Sequence, residues 1–376
     1  GNYTEGEHIA EIGDRATVTA GSISLVASGE NDLPFNYNAD AASAAGNLGG
    51  TLAGSIAVNA MRNHTAVRIG DDATVTTDGR LDLLTNLRRD GGGTIVDAGR
   101  VHSVTRAGEA ALGGVAAAGA AVAGTITLDG DVNEASIGAG ASVTAPAGVD
   151  VRAKTNHDFD DRAIGGSLSL VFAAAVGAGF DYTNSVARAE VAGSVQADDG
   201  NLNVIADTDV PYSPEAIGLA AGGLIAVAGS AEANVVANTT SAGITGSGII
   251  NANAVTIRAR DTSTLDTDTG ALSASGLAAA GASAGINILS NTVEAYLDGA
   301  TVTTDVGGVD MDAVSNNDVD ALALGMSAAG LLAGVGTLTL NMVSNTTSAV
   351  IGTDAVVRKP FSVPAFVDSV ERTLKN

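Results

Sequence analysis

Residues 287 to 303 read NILSNTVEAYLDGATVT, and their spacing decides the fold. Asn287 and Asn291 stand four apart, and Asn291 lies six residues before Leu297. Leu297 opens the phrase LDGATVT, in which a Gly turn precedes alternating β-branched and polar residues. Period-two alternation of this kind is the pattern of a half-buried strand, with successive side chains on opposite faces.

The phrase returns along the chain. It is anchored at Ile12, Ile69, Ile137, Val191, Ile244, Leu297 and Ile351, at intervals of 57, 68, 54, 53, 53 and 54 residues. Nearly constant spacing is the signature of a stacked repeat, because one unit cannot bury its apolar face alone. The interval of 68 implies an insertion within Arg88 to Arg106, where charges cluster. Eleven or twelve residues after each anchor comes a second alternating stretch, such as Leu81-Asp82-Leu83 or Val255-Thr256-Ile257. A Gly such as Gly21, Gly79 or Gly200 shortly precedes it in several units and reads as a corner able to take positive φ.

Each unit continues with an acidic stretch and then a Gly/Ala-rich apolar run, as at 111–128, 163–180, 271–289 and 321–340. These runs reach the length of a membrane-spanning helix. They are made of Ala and Gly, however, and they keep phase with the Thr-Val-Thr strands, so they read as buried strands. An Asn pair follows the run in four units, at 59/63, 234/238, 287/291 and 341/345, and the other two units vary it, with Asn133 four and Asn184 seven residues before the next anchor. Polar residues held in register in this way are expected to stack in a ladder or to cap a corner.

Composition agrees. The chain has 376 residues, 49 of them Gly, with 3% aromatics, no Trp and no Cys. An interior without large rings must be thin and closely approached by backbone. The net charge of −24 makes nucleic acid and anionic lipid poor partners and keeps a repetitive particle soluble. The chain begins Gly1-Asn2 with no basic or apolar leader, so a signal peptide has been removed or the chain is part of something longer.

The expected fold is all-β, a parallel β-solenoid of about 54-residue repeats. Residues 1–9 lead in, 10–357 form the array, and 358–376 form a C-terminal cap or docking segment. Four strand signals per unit suggest two or more coils per unit; at two coils and ~4.8 Å between stacked strands the array would be roughly 65 Å long. Glu30 to Ala39 and Arg88 to Arg106 read as surface loops. In the last segment Phe361 and Phe366 are concentrated, and Val367, Val370 and Leu374 fall on one face of a short helix. These five are the candidate interaction residues.

The Gly/Ala run followed by N-x-x-x-N-T-x-x-A and the LDGATVT phrase resembles the repeat region of large bacterial filamentous adhesins. These are the haemagglutinin or leukotoxin-like proteins of the two-partner-secretion or autotransporter type. The match is clearest at 287–303 and is echoed at 59–76 and 341–356. The resemblance implies a right-handed parallel β-helix, exported through an outer-membrane pore and displayed on the bacterial surface as a fibre. It implies a shaft segment, secreted, of use in adhesion or biofilm, with neighbouring repeat domains, copies of itself or surface ligands as partners.

Residues capable of chemistry are few. His8, His64, His102 and His157 lie at different phases of the repeat and lack metal-ligand spacing. Weak calcium candidates are Asp129, Asp131 and Glu134, with Asp266 and Asp268; Asp310 and Asp312 share their spacing. No other cofactor is expected. Many parallel β-helices cleave polysaccharides with carboxylates and a basic residue on one face. Arg152, Lys154, His157, Asp158, Asp160, Asp161 and Arg162 form the mixed cluster such an enzyme would need. Sugar clefts also want aromatic platforms, which are scarce here. A Thr row for ice binding fails because Val195 and Ile249 interrupt it. The expected function is a non-enzymatic structural or adhesive stalk, able to assemble end to end, with a polysaccharide lyase or hydrolase as the alternative.

Overall fold

The structure is a computed structural model that describes residues 1–28, 35–98, 100–128 and 131–359. The chain winds as a parallel β-solenoid with three sheets of 12, 10 and 7 strands. The anchor residues form one column in the largest sheet, each paired with its equivalent one repeat later, from Ile12 against Ile69 to Leu297 against Ile351. We call this the anchor sheet. The Thr-Val-Thr phrases stack in the smallest sheet, with Val18, Val75, Val143, Val195, Ile250, Val302 and Val357 in register. The third, acidic sheet carries strands such as Val149–Ser169 and Val255–Ser275.

Each repeat is therefore one coil. The expectation of two or more coils per unit is wrong because the strands are very long: Gly50–Ile69 has 20 residues and Val149–Ser169 has 21. Each wide face extends on the order of 65 Å at ~3.3 Å per residue, whereas seven rungs at ~4.8 Å come to roughly 30 Å. The molecule is wider across its rungs than it is long along the stacking axis.

The cross-section has three zones. Where all three sheets meet, Val, Ile and Leu fill a triangular core that includes Ile69, Val75, Leu83, Ile244 and Ile257. Burying each such side chain contributes about 1.5–3 kcal/mol. A waist follows, where Phe159 stacks on Tyr212 at 4.8 Å beside Met61, Leu265 and Leu289. Beyond it the short sheet is absent, and the anchor and acidic sheets lie directly on each other as a flat two-layer lobe. The lobe interior is built on Ala, for example Ala121, Ala123, Ala163, Ala173 and Ala226. Its glycines are needed for contact between sheets: a Cβ on Gly177 would run into the carbonyl oxygen of Ile217 and lie 2.7 Å from that of Ala163. Small residues thus set the thinness of the lobe.

Both insertions are shorter than expected. Residues 35–39 belong to strand Phe35–Asn47, which stacks on Val101–Gly113. In the second insertion only the segment around the antiparallel hairpin Leu87–Arg89 and Ile95–Asp97 leaves the coil. The positive-φ positions also differ. Five fall just after the anchors, at Arg15, Asp72, Gly140, Gly246 and Gly299, and Asn86 and Gly93 lie at the hairpin. Of the corners before the acidic sheet, only Gly148 has positive φ. Gly79 is there for room: a Cβ would sit 2.6 Å from the Gly21 carbonyl. The cap residues Phe361, Phe366, Val367, Val370 and Leu374 lie outside the described residues, as does Asp129.

Candidate interaction surface

Strand alternation divides the mixed cluster. His157 and Asp161 point inward, where both are buried, while Arg152, Lys154, Asp158, Asp160 and Arg162 point outward on the acidic sheet. Most outward members pair with neighbouring rungs or the hairpin. Asp158 meets His102 at 3.2 Å, Asp160 meets Arg106 at 3.5 Å, Arg162 meets Glu215 at 2.9 Å and Lys154 meets Asp97 at 2.8 Å. Arg152 holds Asp150 at 2.8 Å, and Arg80 and Arg89 reach the same carboxylate. The hairpin is thus clamped to the sheet through Arg89, which also binds Asp82 at 2.8 Å. These guanidiniums hold the Asp150 carboxyl below its usual range against the upward push of burial. The outward members of the cluster form a set of ion pairs along the sheet.

The calcium candidates are similarly separated. Asp131 is fully buried, accepts a hydrogen bond from Ser185 and lies 3.5 Å from His157. Glu134 points to the opposite side and pairs with Arg68 at 3.2 Å. Asp266 and Asp268 share the outer face, the first beside Asp320 and the second beside Glu215. Among the described residues, no group of three or more His, Asp or Glu is arranged to hold a metal ion.

The Asn pairs perform both roles expected of them. The first members point inward and stack, with Asn287 3.0 Å from Asn341 and 2.9 Å from Asn234. Asn63 lies inside the unbroken strand Gly50–Ile69, but the later second members cap breaks in the strand: the Asn238 backbone N–H donates to Asn291 Oδ1, and that of Asn291 donates to Asn345 Oδ1, both at 2.9 Å. The sequence reading did not anticipate the buried carboxyls beside this ladder. Asp181 accepts from the Thr125 backbone N–H at 2.9 Å, and Asp161 accepts from the Thr125 hydroxyl at 3.0 Å. Burial, then the Asp161 charge, pushes Asp181 well up, and burial raises Asp161 as well. Burial and the Asp161 charge likewise push Glu232 well up.

The apolar runs are strands, as expected, but half of their side chains face outward, and these include the larger ones. In Phe172–Thr183 the inward set is Ala173, Ala175, Gly177, Gly179, Asp181 and Thr183. The outward set is Phe172, Ala174, Val176, Ala178, Phe180 and Tyr182. Its register partners in the neighbouring rungs are also uncharged, as in Ile225, Val227 and Val235. The strand at 50–60 leaves Leu52 82% and Ile56 68% exposed. Phe180 lies flat over Gly124, filling the space a Cβ would need. Closer to the anchors the same face turns polar, with Arg62, Glu134, Arg188 and Glu294. A small-residue interior carrying polar groups and a larger apolar exterior invert the usual arrangement. The available signal was parity: within each run, Leu, Ile, Val and Phe favour one parity and polar residues keep to the other.

No helix among the described residues is long and apolar enough to cross a membrane. No family model, no curated protein and no solved structure matches the chain.

Proposed function

We propose that this chain is a structural or adhesive fibre segment of a secreted bacterial surface protein, working by stacking and not by catalysis. The observation that carries this reading is the open end of the ladder. In the last complete rung, Leu332–Val343 pairs on one edge with Ala278–Leu289, and no other described strand pairs its second edge. Its free edge offers a row of backbone N–H and C=O groups in the register the preceding rungs use. A further rung, from a neighbouring domain or another copy, satisfies that edge without new chemistry. The net negative charge keeps unspecific encounters between such particles repulsive. The resemblance to filamentous adhesin repeats supports the same reading.

Negative-stain images of the purified chain test it. The expected result is fibres whose length grows with concentration, built from rungs stacked along one axis. Isolated particles of one size at every concentration, or depolymerisation of an acidic polysaccharide that is lost in Asp158→Asn, would replace this reading with a discrete or enzymatic one.

A further inference from the structure

The outer face of the anchor sheet in the lobe is uncharged from Gly50 to Ala60 and in the register-matched stretches of the five rungs stacked on it. At ~3.3 Å per residue and ~4.8 Å per rung, this face covers on the order of 1,000 Å². Monomeric soluble proteins rarely leave an apolar patch of that size open. Toward the tip both faces of the lobe are apolar, the acidic sheet exposing Leu112, Leu168, Leu219 and Leu272, but the uncharged face runs deeper on the anchor sheet. At the depth of Ala178 and Phe180, the opposite face of the lobe carries Asp160 and Arg162, both outward. The two depths correspond because Gly177 lies against the Ala163 carbonyl. A lipid phase deep enough to cover the whole uncharged face would surround both sides and bury those charges. It would also cover the free backbone edges of 50–58 and 332–343, which no other described strand pairs, and hydrocarbon does not accept such edges.

A flat partner with the same chemistry meets neither difficulty. We propose that this face is closed in solution by the same face of a second copy, in a two-fold pair. Such a pair would bury on the order of 2,000 Å² in total, which is within the range of stable interfaces. An isologous contact needs a self-complementary surface. Here Gly54, Ala120, Gly229, Ala282 and Gly336 form a lane of small residues, interrupted by Val176, into which ridges such as Ile225 and Val227 of the partner can settle. The net charge of −24 gives a long-range repulsion that salt screens, but no charged side chain of the stacked rungs faces the contact itself. This inference rests on the reading of the chain as a self-associating structural element, and it adds a lateral contact to the axial one.

Sedimentation velocity over roughly 0.1–100 µM, a range that spans ordinary dimer affinities, reads the pairing directly. The chain is expected to sediment as a dimer. Val176→Glu is expected to weaken the dimer at least about tenfold, as removing the centre of an apolar interface does. The gentler pair Leu52→Ser with Ile56→Ser is expected to do the same with an unchanged melting temperature, so the result does not depend on one variant folding. Thr239→Glu, on the polar half of the same sheet, should leave the dimer intact. A monomer at all concentrations, or a Val176→Glu variant that still dimerises, would overturn the pairing. So would a monomer that floats with phosphatidylcholine vesicles and stops doing so in Val176→Glu. Fibres one solenoid wide, formed from monomers, would overturn the pairing and leave the fibre reading standing. Dimers that never elongate would do the reverse.

Discussion

Asn234 and Asn287 lie 53 residues apart in sequence and 2.9 Å apart through their side-chain amides, buried beside the waist of the solenoid. Asn287 also contacts Thr267 and Asn341. A buried polar network of this kind helps only while every member is satisfied. Asn287→Ala is therefore expected to cost about 1–3 kcal/mol, because it strands groups on both neighbouring rungs. Urea unfolding measures this. A midpoint within error of wild type would mean that the ladder is incidental.

The inner and outer glycines of the lobe should respond oppositely. Gly177→Ala places a methyl against the Ile217 carbonyl and is expected to destabilise by about 1–3 kcal/mol or to prevent folding. Gly229→Ala faces outward, where the nearest atom to the new methyl is Val176 Cγ2 at 3.7 Å, and should be tolerated. Thermal melts of the two variants separate these outcomes, and equal losses would contradict the assignment of faces.

Stability should fall as pH rises above the acidic range. Burial raises Asp181, Glu232 and Asp261, the last to about 6. Each therefore binds more protons folded than unfolded, and stability is lost as pH climbs from about 4, the unfolded value, through the folded value. Asp150 acts in the opposite sense: its lowered pKa contributes stability above the unfolded value that is lost as pH falls. Urea midpoints at about pH 5 and pH 8 should show the decline, and Asp181→Asn should flatten it. A midpoint that rises over this interval would show that these carboxyls are not held neutral.

The hairpin clamp predicts a local effect. Arg89→Ala leaves Asp82 without the guanidinium that binds both of its oxygens and removes one partner from buried Asp150. The expected cost is about 1–3 kcal/mol, because leaving a carboxylate unpaired is the expensive part. Hydrogen exchange should accelerate at 81–89 with little change around Ile250. Uniform acceleration, or none, would argue against a local clamp.

The stacking register was legible from the sequence because the anchors, the Thr-Val-Thr strands and the Asn pairs recur at nearly fixed spacing, and each occupies one column. The number of coils per repeat was not. Strands of 20 residues are far longer than usual, and Val149–Ser169 changes its inward chemistry along its length from Val149 and Val151 to Thr155, His157 and Asp161, then to Ala163. Read locally, such a strand looks like three separate pieces. The inverted lobe was hidden for a related reason. When small residues point inward and larger apolar ones outward, alternation disappears into a continuous hydrophobic run. The mixed cluster at 152–162 misled because adjacent residues on a strand face opposite sides, so closeness in sequence separated His157 from Asp158.

One coil per repeat is the claim on which all of this depends, and a disulfide tests it most directly. The chain has no native Cys, and Thr256 pairs with Asp310 on adjacent rungs of the acidic sheet. Strands ~4.8 Å apart fall within the Cα separation a disulfide accepts, whereas strands two rungs apart do not. Mild oxidation of the Thr256→Cys, Asp310→Cys double variant should give an intrachain disulfide in nearly every molecule. Free thiols after oxidation, in a chain that keeps its β-sheet circular dichroism, would contradict it.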